Sequence, residues 1–167
     1  MTGLPISVVI FAVGFVYMSF FEYALHRWLM HGMRSFVRQG HTVHHREHFL
    51  RRTADRHHVL FAWWVGPAIL FGHFWIFWRI DAMTHLSTTW PFLLALGAYY
   101  VLYEYFHWCI HNPADRAVEQ TFVFRYLHRN HHLHHLQPSI NFNVLLPLGD
   151  LLFGTLQGTI CIPGRGG

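Results

Sequence analysis

Three apolar stretches divide this sequence of 167 residues, and they restrict its possible folds more than any other feature. They cover about residues 5–25, 59–80 and 86–106, and each can cross a bilayer, for which about 20 apolar residues suffice. Charged residues make up 12% of the chain, against about 25% in a typical soluble domain. We therefore expect one domain over residues 1–167, an all-α integral membrane helical bundle with about three transmembrane helices.

The arginines predict how this bundle is oriented. Basic residues concentrate on the cytoplasmic side of membrane proteins, and here only Arg79 lies near the loop between the second and third stretches. We therefore expect a multi-pass protein with its N-terminus outside and with residues 26–58 and 107–135 forming a His-rich helical cap in the cytosol. The arginines in and after these segments are Arg27, Arg34, Arg38, Arg46, Arg51, Arg52 and Arg56, then Arg116, Arg125, Arg129 and Arg165.

Histidines are unusually frequent, and all 17 except His73 and His85 lie in the two polar segments. Residues three and four apart share a helix face, so paired histidines at these spacings can point at one position. One zinc ion takes about four ligands, so ten imidazoles suit two metal ions with five nitrogens each. The ten candidates, in four clusters, are His26 and His31; His41, His44 and His45; His107 and His111; and His131, His134 and His135.

The first cluster does not fit a regular helix. His26 and His31 are five residues apart, roughly 140° around an α-helix. They converge only if the helix ends or bulges there, or if they serve different metals. Neutral imidazole binds Zn, Cu, Fe and Ni, so the ligand type alone does not select the metal.

Other polar residues have a less defined role in the sequence. Glu22 and Glu104 precede His26 and His107 by about one turn, and they either orient these imidazoles by accepting a hydrogen bond or pair with an arginine. The tyrosines at the end of the third stretch, such as Tyr99 and Tyr103, suit either an interfacial aromatic belt or the interior. His73 and His85 are interpreted as structural. Possible additional ligands are His57, His58, His128 and His132, and His48 is equally ambiguous.

The C-terminal part of the sequence is less regular. The apolar stretch over residues 144–162 contains Pro147, Gly149, Asp150 and Gly154. These residues favour an interfacial or re-entrant element over a fourth transmembrane helix.

The order of the clusters, H-x4-H, H-x2-H-H, H-x3-H and H-x2-H-H, resembles the fatty acid hydroxylase/sterol desaturase superfamily of membrane di-iron oxygenases. Residues 22–31, EYALHRWLMH, are similar to the E-Y-x-x-H-R-x-x-x-H of the fatty acid 2-hydroxylases, and residues 99–107 resemble their third cluster. The tail from Asn141 to the D-L-L-F-G-T at residues 150–155 resembles the superfamily's ending. Counting back from this tail favours His131, His134 and His135 over His128, His131 and His132 as the last cluster.

The resemblance implies two iron ions, which zinc can replace on overexpression, and the hydroxylation of a lipid C–H bond with O2 and two electrons. The substrate implied is a fatty acyl chain that arrives from the bilayer. The electrons are expected from a separate donor, cytochrome b5-like or ferredoxin-like, and no nucleic-acid partner is expected.

Two alternatives stay open in the sequence. A carotenoid ring hydroxylase or a sterol oxidase or desaturase would use the same chemistry on another lipid. A membrane metal-binding or transport protein would place its ligands near the bilayer midplane, whereas these clusters are expected at one membrane face.

Overall fold

The computed structural model of the protein describes residues 3–34, 36–51 and 64–159, with side chains for all of these except residues 3–4, 36 and 47–51. Within these ranges the chain is all-helical and has no strand, as the sequence predicted. The helices are α1 Gly3–Ala24, α2 Phe36–Arg51, α3 Val65–Thr84, α4 Thr89–His111, α5 Phe122–Leu136 and α6 Leu148–Leu152. A π-helical segment, Leu25–Gly32, continues α1, and a short 3-10 turn, Ala117–Gln120, precedes α5.

The main core lies between α1 and α4, which both run toward the histidines while α3 runs back. A Cβ added to Gly14 would lie 2.9 Å from the Cβ of Ala95, so this glycine allows the two helices to approach closely. On the α3 side, the Phe77 and Phe92 rings stack with their centroids 3.8 Å apart. The buried core side chains include Met18, Phe92, Leu96, Tyr99 and Tyr103.

A compact turn joins α3 to α4 at the end of the bundle away from the histidines. The Asp81 carboxylate accepts hydrogen bonds from the backbone N–H groups of Thr88 and Thr89, each at 2.9 Å, and from both threonine hydroxyls at 2.6 Å. These bonds satisfy donors at the start of α4 that the helix itself leaves unpaired. His85 ends α3 in a left-handed conformation with φ 57°, consistent with a structural role.

Large apolar side chains cover the outer faces of the long helices. Among the described residues one helix, Pro5–Gly32, is long and apolar enough to cross a membrane by length and composition, with a mean hydropathy of 1.9. Polar residues such as Asp81 in α3 and Glu104 in α4 lower the hydropathy of the other two long helices. The number of transmembrane helices therefore stays a prediction. Exposed apolar side chains include Val8, Val13, Trp75, Leu94 and Val101.

The tyrosines of α4 do not form an aromatic belt. Tyr99 is fully buried and Tyr103 is 8% exposed, and both belong to the core, while Tyr105 faces outward. Tyr99 and Tyr103 do not fit the belt interpretation, because they lie on the face of α4 that packs against α1.

Candidate metal centre

Four helical segments bring the ten candidate histidines together at one end of the bundle. They are the π-helical segment, α2, the C-terminal end of α4, and α5. The histidines form two groups of five, and within each group the potential ligand atoms lie within 4.8 Å of one another. Group A consists of His26, His31, His41, His45 and His134, and group B consists of His44, His107, His111, His131 and His135.

The π-helical segment explains how His26 and His31 converge. A π-helix closes its hydrogen bonds from residue i to i+5, and the N–H of Met33 donates to the carbonyl of Trp28 at 2.7 Å in this way. The wider turn brings residues five apart onto one side, and the His26 and His31 rings stack at 5.1 Å between centroids. The helix therefore bulges at this point, which was one of the conditions under which the sequence allowed the two residues to meet.

Helix α2 supplies ligand candidates to both groups. His41 and His45 are one α-helical turn apart and both belong to group A. His44 lies about 100° around the helix from His45, and it points into group B, where its ring centroid is 4.4 Å from that of His111.

Group A is arranged around the Nε2 atom of His41. This atom lies 3.0 Å from the Nε2 of His26, 2.9 Å from that of His31 and 3.0 Å from that of His45. The Nε2 of His31 lies 3.1 Å from the Nε2 of His134. Five imidazoles from three segments of the chain thus present the same ring nitrogen to one small volume.

Group B is arranged in the same way around the Nε2 atom of His131, and all five of its residues are buried. This atom lies 2.9 Å from the Nε2 atoms of His107 and His111 and 3.0 Å from that of His135. The two groups adjoin, because the rings of His45 and His135 stack with their centroids 4.2 Å apart.

The spacing of these nitrogens fits a metal with more than four ligands. Metal–imidazole bonds are about 2.1 Å long, so two nitrogens at right angles around one metal lie about 3.0 Å apart, and tetrahedral ligands about 3.4 Å apart. The Nε2 distances given above agree with the right-angled arrangement. Neither group includes a carboxylate or thiolate from the described residues, and an all-imidazole set suits Fe, Zn, Cu or Ni.

The electrostatic environment keeps these imidazoles neutral. Burial, together with the nearby imidazoles, lowers the pKa of His45 to about 2, and burial lowers the pKa of His134 to about 3 against the opposing effect of its hydrogen bond to Ile140. Neutral imidazole is the form that binds a metal, so the groups are prepared for a cation at neutral pH. Burial also lowers the pKa values of His41, His107, His131 and His135.

Backbone carbonyls orient two members of group A. The Nδ1 of His134 donates to the carbonyl of Ile140 at 2.7 Å, and the Nδ1 of His26 donates to the carbonyl of Phe142. A proton held on Nδ1 leaves the lone pair on Nε2, which points into the group.

Glu22 has other partners than the sequence suggested. It accepts hydrogen bonds from the Tyr99 hydroxyl at 2.5 Å, from the Asn143 side chain at 3.2 Å and from the N–H of Val144. Among the described residues it binds neither His26 nor an arginine, because it lies one turn deeper, between α1 and α4, where these three donors surround it. Its influence on His26 is therefore indirect, through the segment that contains Phe142.

Glu104 is also engaged elsewhere. Its carboxylate accepts a hydrogen bond from Tyr100, and its Oε1 atom is buried without a hydrogen-bond partner among the described residues. The expected bond to His107 does not form, and the Nδ1 of His107 likewise has no partner there. The reason is that Glu104 points along α4 toward Tyr100, one turn back.

The remaining histidines lie away from the two groups or outside the described part of the chain. His128 and His132 are exposed, and their rings lie parallel at 6.5 Å on the outer face of α5. His73 bonds the Ile69 carbonyl at 2.7 Å and the Tyr17 hydroxyl at 2.9 Å, consistent with a structural role. His57 and His58 fall outside the described residues, as does the side chain of His48.

The loop after α5 had no predicted role, yet its backbone supports two histidines of group A. Asp150 is fully buried and accepts hydrogen bonds from the N–H groups of Phe142 at 2.8 Å and Asn143 at 2.6 Å. The Thr155 hydroxyl donates to the same carboxylate at 2.7 Å. Asn141, with φ 51°, bonds the backbone of Gln157 through both of its side-chain polar atoms. The available signal was an aspartate followed by F-G-T in an apolar tail.

Helices that gather histidines from separate segments into two adjoining groups define a class of helical-bundle protein whose side chains could hold metal ions. A comparison with family models agrees, because the model described as fatty acid hydroxylase matches residues 11–155. The chain belongs to the fatty acid hydroxylase family.

A characterised relative supports the same assignment. The chain is 30% identical over 159 residues to the dihydroceramide fatty acyl 2-hydroxylase FAH1 of Arabidopsis thaliana. The match covers 94% of this chain but 64% of the relative, so the chain spans less than two thirds of the length of that protein. The resemblance to fatty acid 2-hydroxylases is thereby confirmed. No solved structure matches the chain.

Proposed function

We propose that this protein is a membrane hydroxylase that uses O2 and two electrons to hydroxylate a C–H bond of a lipid, with a fatty acyl chain as the substrate. The observation that carries the proposal is the convergence of ten histidines into two groups whose Nε2 atoms are spaced as metal ligands are. The relative's name, a fatty acyl 2-hydroxylase, supports the acyl substrate.

In this proposal groups A and B each hold one iron ion. The bound iron supplies the chemistry by which O2 attacks an unactivated C–H bond, for which protein side chains have no equivalent. The reaction consumes R–H, O2, two electrons and two protons and yields R–OH and water. Zinc can occupy the same nitrogen sites on overexpression, because it binds them more strongly than ferrous iron does.

The protein's own residues orient the histidine ligands and exclude water from the site. The carbonyls of Ile140 and Phe142 fix the protonated Nδ1 of two ligands. The burial of group B, together with the aromatic and aliphatic side chains around it, keeps bulk water away from the reacting atoms.

An apolar pocket offers a place for the acyl chain. It lies between α1, α3 and α4, and its walls include Met18, Leu70 and Leu96 together with His26 of group A. A chain in this pocket would extend from the lipid-facing part of the bundle toward group A. Glu22 and Tyr99 also border the pocket, but they are bonded to each other.

The membrane part of the proposal keeps the three-span topology, with the N-terminus outside and the histidine groups on the cytoplasmic face. The apolar outer faces of α1, α3 and α4 support it, since exposed apolar surface on this scale marks contact with lipid or a partner. Only 28% of the most apolar part of Pro5–Gly32 is buried, whereas the core helix of a soluble protein is mostly buried.

The electrons come, in this proposal, from a separate cytochrome b5-like or ferredoxin-like protein. Arg125 and Arg129 are exposed on the outer face of α5, whose inner face carries His131. Their positive charge suits an acidic donor, because complementary charge steers such partners together.

Two substitutions on α5 test the proposal. The wild-type protein and the variants His131→Ala and His128→Ala are each expressed in cells that have no lipid hydroxylase of their own. The acyl lipids of these cells are then analysed by mass spectrometry. We expect hydroxylated acyl lipids from the wild type and from His128→Ala, and a loss of more than about 100-fold from His131→Ala, since losing a ligand exceeds the effect of losing its hydrogen-bond partner.

The outcomes separate the alternatives. An altered carotenoid or sterol profile without hydroxylated acyl lipids would contradict the acyl substrate. Equal activity of His131→Ala and His128→Ala would contradict the metal centre itself.

A further inference from the structure

The segment of residues 140–144 supports one histidine group and not the other. Its Ile140 and Phe142 carbonyls accept hydrogen bonds from His134 and His26, which both belong to group A. In group B, the buried Nδ1 atoms of His107 and His131 have no hydrogen-bond partner within the described part of the chain. Both of the hydrogen bonds described here therefore orient histidines of group A.

Two buried carboxylates hold this segment from opposite sides. Asp150 binds the N–H groups of Phe142 and Asn143, and its own N–H donates to the Asn143 side chain at 3.1 Å. Glu22, on α1, accepts hydrogen bonds from the Asn143 side chain at 3.2 Å and from the N–H of Val144. Three consecutive N–H groups are thus bound to carboxylates, which fixes the peptide planes of the segment.

We propose that Asp150 and Glu22 are positioning residues for group A. By fixing these peptide planes they aim the Phe142 carbonyl, whose plane includes the Asn143 N–H, at His26, and so they hold the Nε2 atom of this imidazole in position for a metal. The inference rests on the proposed function, in which group A binds a metal ion. Its consequence is that the metal affinity of group A depends on two carboxylates that touch no metal, while that of group B does not.

The substitution that tests this is Asp150→Asn, which preserves the size of the side chain. In Asp150 each oxygen accepts from one N–H group, that of Phe142 or that of Asn143. An amide has only one acceptor oxygen, so in the variant the NH2 group would face one of these N–H donors. Loss of an orienting partner costs metal sites about 10- to 100-fold in affinity. Glu22→Gln perturbs the same segment from the other side and provides a second variant if Asp150→Asn does not fold.

Two neighbouring residues allow each group to be measured separately. His44→Ala disables group B and His45→Ala disables group A, so Zn²⁺ binding in these proteins reports on the remaining group. Affinity is measured on the full chain in detergent with chelator-buffered Zn²⁺. We expect Asp150→Asn to lower the Zn²⁺ affinity about 10- to 100-fold in the His44→Ala protein and to leave it unchanged in the His45→Ala protein.

The matched control is Asp81→Asn. Asp81 is also a carboxylate that binds two backbone N–H groups and threonine hydroxyls, but it lies at the opposite end of the bundle. We expect it to change the affinity of neither group.

Failure of the inference and failure of the proposed function would give different results. An equal loss of affinity in both backgrounds, or no loss in the His44→Ala background, would overturn the inference and leave the proposed function intact. A folded wild-type protein that binds no Zn²⁺ would overturn the proposed function together with the inference.

Discussion

At the scale of residues, the candidate metal centre consists of imidazoles that are buried or half-buried and close together. His134 illustrates this, since it is fully buried, gives its Nδ1 proton to the Ile140 carbonyl and presents its Nε2 to group A. In the form that binds a metal, the five Nε2 lone pairs of a group face one another and repel, and a bound cation removes that repulsion. Without a metal, these imidazoles therefore make the fold sensitive to protons.

We expect the metal-free protein to lose stability as the pH falls below about 6.5, the pKa of histidine in an unfolded chain. Burial lowers the pKa of His134 to about 3, so between these values the unfolded chain binds a proton that the folded protein does not. Above pH 6.5 both states are neutral and the full stability is present. Each histidine of this kind lowers the free energy of unfolding by up to about 2 kcal/mol as the pH falls from 6.5 to 5.

Thermal unfolding of the chelator-treated protein in detergent, at pH 8, 7, 6 and 5, measures this effect. The midpoint should fall stepwise below pH 7, and added Zn²⁺ should reduce the fall at pH 6. A midpoint that is equal or higher at pH 5 than at pH 8 would contradict the neutral state of the groups.

At the scale of elements, α2 differs from the other long helices. Among its described side chains His44 alone is buried, so α2 contributes little to the apolar core. Its histidines nevertheless reach both groups. Bound metal ions would therefore provide much of the energy that holds α2 against the bundle, whereas α1 and α4 pack through Met18, Phe92 and Leu96.

This predicts that metal removal loosens α2 selectively. Segments with few buried apolar contacts open with low free energies and exchange their amide hydrogens quickly. Hydrogen exchange followed by mass spectrometry should show α2 exchanging at least about 10-fold faster after chelation, with α1 and α4 unchanged. Equal protection of α2 with and without metal would show that other contacts hold it.

At the scale of the whole molecule, the histidine groups lie at one end of the bundle and the Asp81 turn lies at the other. In the proposed topology the bilayer separates these ends, because α1, α3 and α4 connect them and present apolar outer faces. The turn would then face outside, and the 3-10 turn before α5 would face the cytoplasm.

Cysteine labelling in intact cells tests this arrangement. With both natural cysteines replaced by serine, we expect Ser87→Cys to react with a membrane-impermeant maleimide from outside and Gln120→Cys to react only after permeabilisation. Both positions are exposed, so accessibility within the protein is matched. Labelling of both positions from the same side would contradict the topology.

Much of this molecule could be predicted from its sequence, and the missing parts have physical reasons. The spacing of the histidines identified which of them share a helix face, because residues three and four apart meet through the geometry of a single helix. The division into groups A and B depends on how four segments pack, which no local pattern contains. The partners of Glu22 depend on long-range hydrogen bonds, and the spacing of His26 and His31 left open whether the helix ends or bulges between them, so these features too required the structure.

The central claim is that each five-histidine group holds one metal ion. The most direct measurement is the metal content of detergent-purified protein from iron-supplied cells, with iron and zinc counted together because zinc competes for nitrogen ligands. Five ligands per ion predict close to two metal ions per wild-type chain and close to one in His44→Ala and in His45→Ala. A Mössbauer spectrum of the wild-type protein should show two coupled irons. One metal ion or none in a folded wild-type chain would contradict the account.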